Sequence, residues 1–181
     1  MSRLTSVKPL LRECPVRDLR IDHLRAVLVF LVVFGHFLEA SPNGCAPLYP
    51  ARVHTLENGL RVGIVGIVTD YVNIWERPEH IASTRISDPI PAAAAALEKL
   101  KSISDVTLCV YHGGFERDLA TGRVLSATHE NVAYRICQEL DLDILLTGHQ
   151  HMSVPGQMVS GTFVVQPSDK GQEFLRVEAA V

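Results

Sequence analysis

Three histidines follow two apolar segments, and two of them, His112 and His149, are adjacent to glycine. His149 and His151 lie in Ile-Leu-Leu-Thr-Gly-His-Gln-His-Met, residues 144–152, and His112 lies in Val-Tyr-His-Gly-Gly. Neutral imidazole is a ligand for Zn²⁺, Mn²⁺ or Fe²⁺, and glycine leaves room for an ion and a substrate phosphate. If residues 149–151 are extended, both of their imidazoles project to the same side. The pattern predicts a divalent-metal site at His112, His149 and His151, with hydrogen-bonded surface histidines as the alternative.

Alternating strands and helices are predicted around these histidines. Residues 52–72 are interpreted as two strands joined by Asn58-Gly59, a pair typical of a hairpin turn. The second strand, Arg61–Val68, is rich in Val and Ile, like a central strand covered on both faces. Further strands are predicted at 105–112, 143–151, 161–168 and 174–181, and helices at 87–102, capped by Ser87 or Asp88, and at 127–140. The predicted fold is therefore α/β, a layered α/β or αββα arrangement.

Composition narrows the class of protein. The chain has 181 residues, 47% of them hydrophobic and 20% charged, which is enough for a packed core. The net charge of −3 includes no basic block, so no nucleic-acid partner is predicted. The four cysteines form no C-x-x-C pair, which argues against a zinc ribbon or a disulfide framework. Cys109 and Cys137 are predicted to be buried thiols of a reducing compartment, and the predicted location is cytoplasmic.

The first 45 residues differ from the rest of the chain in their pattern of charged and apolar residues. An apolar run begins at Ala26 and is about half of the roughly 20 residues that span a bilayer, so residues 24–38 are predicted to form an apolar helix, either buried or membrane-associated. Turn-forming residues at 39–50 mark a linker, and 46–181 is predicted to be the main domain. Residues 17–39 begin with Arg-Asp-Leu-Arg-Ile-Asp-His-Leu-Arg, followed by the apolar run and Gly-His. This segment resembles the first membrane segment of the acyltransferase-3 family. His36 would then take the place of that family's histidine.

A second resemblance covers most of the chain. Two segments resemble the C-terminal motifs of calcineurin-like metallophosphoesterases. They are residues 109–118, Cys-Val-Tyr-His-Gly-Gly-Phe-Glu-Arg-Asp, and residues 145–152, Leu-Leu-Thr-Gly-His-Gln-His-Met. The branch is that of the 5′-nucleotidases and 2′,3′-cyclic-nucleotide phosphodiesterases, and the similarity runs from about residue 46 to 176. It implies a partial αββα sandwich around two divalent metals, with His112 and His149 as ligands of one and His151 as a ligand of the other. Mn, Zn, Fe, Mg and Ca are not distinguished. The implied reaction is attack of a metal-activated hydroxide on a phosphate ester.

The family's earlier motifs, D-x-H, G-D and G-N-H-E/D, do not occur in this sequence. The prediction is therefore a truncated metallophosphoesterase domain acting on phosphate esters of nucleotides with impaired activity. No catalytic residue is assigned, and substrate-binding residues are undetermined. Two alternatives stay open: a non-catalytic truncated or fused remnant that binds at most one metal, and a membrane-associated acyltransferase fragment. The predicted partners are a small phosphate ester or nucleotide, a membrane contacted through 24–38, and a second copy of the chain paired at an exposed sheet edge.

Overall fold

The computed structural model describes residues 3–7, 51–81 and 85–180, with side-chain surroundings for 51–81 and 85–178. The strands are β1 (Arg3–Val7), β2 (Ala51–Thr55), β3 (Arg61–Val68), β4 (Val106–His112), β5 (Ile144–Leu146), β6 (Val154–Val159), β7 (Thr162–Gln166) and β8 (Val177–Ala180). The helices are α1 (Val72–Trp75), α2 (Pro89–Lys101) and α3 (Ala133–Glu139).

Six strands form one mixed sheet in the order β2-β3-β4-β5-β7-β6, and β1 pairs with β8 in a separate antiparallel ribbon. In the large sheet β3, β4, β5 and β7 are mutually parallel, whereas β2 and β6 join the two edges antiparallel. The predicted α/β class is confirmed. Because the four inner strands are parallel, their carboxyl ends meet at one edge of the sheet.

The predicted hairpin is confirmed. The Gly59 N–H donates to Leu56 O at 2.9 Å, and the Leu56 N–H donates to Leu60 O at 2.8 Å. Gly59 has a φ of 86°, a left-handed conformation that glycine adopts without steric cost. The turn therefore sets the register in which β2 pairs with β3.

The prediction that β3 is covered on both faces is confirmed for one face only. Gly63 and Val65 are buried, but Val62, Ile64 and Val68 on the opposite face are only half-buried. Helix α2 covers the first face, since a Cβ at Gly63 would lie 3.3 Å from Leu100 Cβ. Central position in the sheet therefore did not bring burial on both sides.

Helix α2 begins where its sequence predicts. The Ile90 N–H donates to Asp88 Oδ1 at 2.9 Å, and proline occupies the first turn, where no N–H is needed. The spacing of its apolar residues gives one buried face, made by Pro89, Ile90, Ala93, Ala96, Leu97 and Leu100.

Helix α3 begins at Ala133, six residues later than predicted. The residues before it are used in loop contacts: the buried Asn131 accepts a hydrogen bond from Gly114 N–H at 2.7 Å. The carboxylate of Glu116 accepts hydrogen bonds from Tyr134 N–H at 3.0 Å and Arg135 N–H at 2.8 Å, in the first turn of α3. A side chain from another segment therefore satisfies donors that a longer helix would have used internally.

The core lies between the sheet and the two longer helices. Val65, Cys109, Leu145 and Val164 are completely buried on four adjacent strands, and Ile136 of α3 is buried with them. Cys109 and Cys137 are free and buried, as predicted. Burial raises the pKa of both thiols to about 12.

The predictions for residues 17–39, 24–38 and His36 fall outside the described residues. Within the parts of the chain that the structure describes, no helix is both long enough and apolar enough to cross a membrane. Membrane association, a cytoplasmic location and the boundary at residue 45 therefore stay predictions.

Candidate functional site

Two glycine-containing loops follow neighbouring parallel strands at the carboxyl edge of the sheet. His112 is the last residue of β4, and the segment 147–152 follows β5. The His112 carbonyl accepts a hydrogen bond from the buried Thr69 N–H at 3.1 Å, just after β3. The Gly148 N–H donates to Gly113 O at 3.3 Å, joining the two loops. The predicted adjacency of His112 and the 149–151 segment is confirmed.

The turn after His112 is too crowded for larger residues. A Cβ on Gly113 would lie 2.2 Å from Tyr111 Cζ, and one on Gly114 would lie 2.1 Å from Gln150 Oε1. The Tyr111 ring that packs on Gly113 is buried, and this burial raises the pKa of its phenol above the usual range. Local packing therefore explains why both positions are glycine.

The prediction of an extended 149–151 segment was wrong. Strand β5 ends at Leu146, and His149 and His151 have left-handed φ angles of 70° and 54°. The Gln150 N–H donates to Gly148 O at 2.8 Å, which makes a tight three-residue turn centred on His149. Non-glycine residues take this conformation only where the surroundings fix it, and such strain is concentrated at functional sites.

His149 is enclosed by three side chains. Its ring centroid lies 5.5 Å from that of His112, and it stacks on Trp75 at 4.8 Å with 30° between the planes. Its Nε2 lies 2.9 Å from Glu130 Oε1. A carboxylate can only accept in this bond, so in the neutral imidazole Nε2 carries the proton and Nδ1 has the lone pair that could bind a cation.

His151 has a different environment. Its side chain is 72% exposed, and its Nδ1 lies 3.9 Å from Asp169 Oδ2. The structure therefore brings His112 and His149 together and places His151 beside Asp169.

The separation of the His112 and His149 rings is close to that of two imidazoles on one divalent ion. Two imidazoles on one ion, with metal–nitrogen bonds of about 2.0–2.1 Å at roughly tetrahedral angles, have ring centroids about 5 Å apart. The observed 5.5 Å is close to this value. Glu130 lies within hydrogen-bond distance of one ring nitrogen of His149, and carboxylates commonly make such a bond to histidines that bind a metal through the other nitrogen. Over the described residues, however, no three His, Cys, Asp or Glu side chains form a ready-made cage.

Sequence reasoning missed Glu130, Asn131 and Gln150. Glu130 and Asn131 were assigned to a helix, and Gln150 was taken only as the spacer between two histidines. A polar His-Glu-Asn triplet just before an apolar helical stretch was the available signal for the first two.

Other side chains near the site have structural partners. Asn73 donates to Asp70 O and Ile86 O at 2.7 and 2.8 Å, and it accepts from Ile86 N–H at 3.1 Å. Arg117 donates to Gly122 O at 3.0 Å, and Asp118 accepts from the Thr121 hydroxyl at 2.6 Å. These contacts hold loops in place.

Comparisons with known proteins relate this fold to phosphoesterases. No family model matches the chain. The trifunctional nucleotide phosphoesterase protein YfkN of Bacillus subtilis is 23% identical over 107 residues, which are 58% of this chain and 7% of that protein. A Staphylococcus aureus protein assigned as a 5′-nucleotidase is 29% identical in its crystal structure, with a TM-score of 0.66 over 76% of this chain and 29% of that one.

The crystal structure of the calcineurin-like phosphoesterase YfkN from Bacillus subtilis superimposes with a TM-score of 0.56 at 19% identity, over 78% of this chain and 52% of that one. This chain therefore spans only part of each relative. The shared architecture nevertheless agrees with the resemblance of residues 109–118 and 145–152. The chain has the calcineurin-like phosphoesterase fold of the 5′-nucleotidase type.

Proposed function

We propose that this chain is a metal-dependent phosphoesterase that hydrolyses phosphate esters of nucleotides, of the 5′-nucleotidase or cyclic phosphodiesterase type. One observation carries the proposal: two glycine-flanked histidines, His112 and His149, meet at the carboxyl edge of a parallel sheet with ring centroids 5.5 Å apart. A trifunctional nucleotide phosphoesterase and a 5′-nucleotidase among the similar proteins support this class of substrate.

In this proposal His112 and His149 hold one divalent ion, and His151 contributes to a second position beside Asp169. A bound ion supplies Lewis-acid activation of water and neutralises charge on the phosphoryl oxygens. Among the described residues no carboxylate joins the two imidazoles in a metal-binding group, and two imidazoles alone give a weak site, which is the reason to expect low activity. The donor set does not select among Mn²⁺, Zn²⁺, Fe²⁺, Mg²⁺ and Ca²⁺.

The chain's own residues orient the candidate ligands. Glu130 holds the proton on His149 Nε2, and Trp75 covers one face of the imidazole. A Cβ at Gly148 would meet no atom within 4 Å, so the loop before His149 leaves open space through which a phosphate can come close to the histidine pair. These groups bind and orient; none of them is assigned proton transfer.

A second candidate function is binding of a single ion without catalysis. The exposure of His151, 72% of its side chain, favours it, because an exposed imidazole beside one carboxylate is a poor second site. The two candidates differ in turnover and agree in ion binding at His112 and His149.

The test is hydrolysis of bis(p-nitrophenyl) phosphate and p-nitrophenyl phosphate in Mn²⁺ by the wild type, His149→Ala and His54→Ala. His54 is an exposed histidine on β2 and serves as the matched control. We expect activity that His149→Ala abolishes and His54→Ala retains. Equal activity in His149→Ala would contradict the proposal, and bound Mn²⁺ with no hydrolysis in the wild type would select the single-ion alternative.

A further inference from the structure

We infer that Gln150 is a positioning residue that fixes the loop bearing His149 against the turn bearing His112. The inference rests on the proposed function, because it concerns the relative placement of the two histidines proposed to share one ion. Gln150 lies between His149 and His151 in the chain, yet its side chain is directed toward the other loop, where it contacts Phe115.

The Gln150 amide pairs with both backbone groups of one residue. The Phe115 N–H donates to Gln150 Oε1 at 2.7 Å, and Gln150 Nε2 donates to Phe115 O at 2.9 Å. Phe115 is 2% exposed, so its backbone groups have little access to water. A buried donor or acceptor that loses its partner is strongly unfavourable, and the Gln150 side chain is therefore held in this place.

Gly114 provides the space for this amide. A Cβ there would lie 2.1 Å from Gln150 Oε1, 2.2 Å from its Cδ and 2.3 Å from its Cγ. Gly114 is not among the glycines with positive φ, so its backbone alone does not require glycine. The close approach of Gln150 is the reason why a larger residue would not fit.

The link matters because the loop that it holds is strained. His149 and His151, on either side of Gln150, both have left-handed φ angles. Such conformations persist only where other contacts determine them, and an unrestrained segment would relax toward extended backbone. Relaxation at residue 149 would turn its imidazole away from His112. Gln150 therefore acts on the candidate site through His149 and need not touch a ligand itself.

Trp75 reports the position of His149 without any metal. It is the single tryptophan of the chain, and its ring stacks on the His149 imidazole at 4.8 Å. Its emission therefore changes if the imidazole moves, whereas a general loss of stability leaves emission of the folded state unchanged. This readout separates positioning from a merely structural role.

The experiment compares wild type, Gln150→Met and Gln157→Met. Methionine keeps the length of the side chain and removes its hydrogen bonds. Gln157 donates one long bond, 3.4 Å to Leu119 O, and is the matched control. Co²⁺ affinity is measured by titration, and Trp75 emission is recorded without metal, with circular dichroism to verify folding. We expect Gln150→Met to lower Co²⁺ affinity about tenfold or more and to change the emission, and Gln157→Met to change neither.

A second pair of variants tests the contact itself. Gly114→Ala in the wild type should weaken Co²⁺ binding, because its Cβ meets the Gln150 amide. In Gln150→Ala that obstacle is gone, so the double variant should bind Co²⁺ no more weakly than Gln150→Ala alone. Additive losses would contradict the inferred contact.

The outcomes separate the two claims. If wild type binds no Co²⁺, the proposed function fails, and metal-free Trp75 emission still decides the role of Gln150. If Gln150→Met matches wild type in both readouts, the inference is overturned. Should Gln150→Met fail to fold, Gln150→Glu keeps the acceptor for the Phe115 N–H and loses the donor. That variant must change Trp75 emission for the inference to stand.

Discussion

Asn131 supports the turn after His112 through a single buried hydrogen bond, so the effect of removing it can be worked out. The Gly114 N–H donates to Asn131 Oδ1 at 2.7 Å, and Asn131 is 7% exposed. In Asn131→Ala this N–H loses its partner where water has little access, which costs about 1–3 kcal/mol. In a protein of this size 1 kcal/mol corresponds to about 2–4 °C in Tm, so the expected loss is roughly 2–12 °C.

Asn58→Ala is the matched control for this prediction. Asn58 Oδ1 also accepts a hydrogen bond from a backbone N–H, that of Leu60 at 3.1 Å, but this pair is exposed. Water can replace the lost acceptor, so the free energy of unfolding should fall by less than about 1 kcal/mol. Both variants are measured by thermal and urea unfolding. Equal losses in the two variants, or no loss in Asn131→Ala, would refute the reasoning.

Three further predictions concern residues outside the candidate metal site. Arg61 hydrogen-bonds Asp105 and lowers the pKa of its carboxyl from 3.8 to about 2, so this pair stabilises the fold above pH 3.8 and the stabilisation is lost as pH falls toward 2. Asp105→Asn should therefore flatten the dependence of Tm on pH between these values. A dependence equal to that of wild type would contradict this prediction. The thiols of Cys109 and Cys137 are buried, and burial raises their pKa to about 12. They should therefore resist alkylation by iodoacetamide in the folded protein, which peptide mass spectrometry measures, and rapid labelling would disprove this. Glu116→Ala removes the acceptor at the first turn of α3 and should lower the free energy of unfolding in urea by about 0.5–2 kcal/mol, whereas a value near zero would count against that role.

The strand ends that carry the candidate site were predictable because the sequence marks them locally. An apolar run followed by His112-Gly113-Gly114 gave β4 and its end, and the resemblance of the same residues to the phosphoesterase motifs agrees with the observed fold. Asp88 likewise marked the start of α2. In these places one short stretch of sequence both indicates the strand or helix and contains the residues that form it.

The conformation of the 147–152 loop was not predictable in the same way. Left-handed φ at His149 and His151 is uncommon for residues with a Cβ, and it depends on contacts with distant segments. The Gln150 bonds to Phe115 join residues 35 positions apart. Local propensity favoured an extended strand, and tertiary contacts prevailed.

Strand β6 was missed for a related reason. It contains Pro155 and Gly156, which argue against a strand in the interior of a sheet. Its place at the sheet edge, beside β7, accommodates both residues, since an edge strand can lack a donor on one side. Position in the sheet is a property of the whole fold, so the local pattern was misleading.

The central claim is that His112 and His149 bind one ion together, and the most direct measurement is a double-mutant cycle on Co²⁺ binding. Affinity is determined by calorimetry for wild type, His112→Ala, His149→Ala, the double variant and the His54→Ala control. If the two rings share one ion, each single substitution removes most of the affinity, the double adds little more, and His54→Ala binds like wild type. Independent, additive losses at His112 and His149, or a wild type that takes up no Co²⁺, would contradict the account.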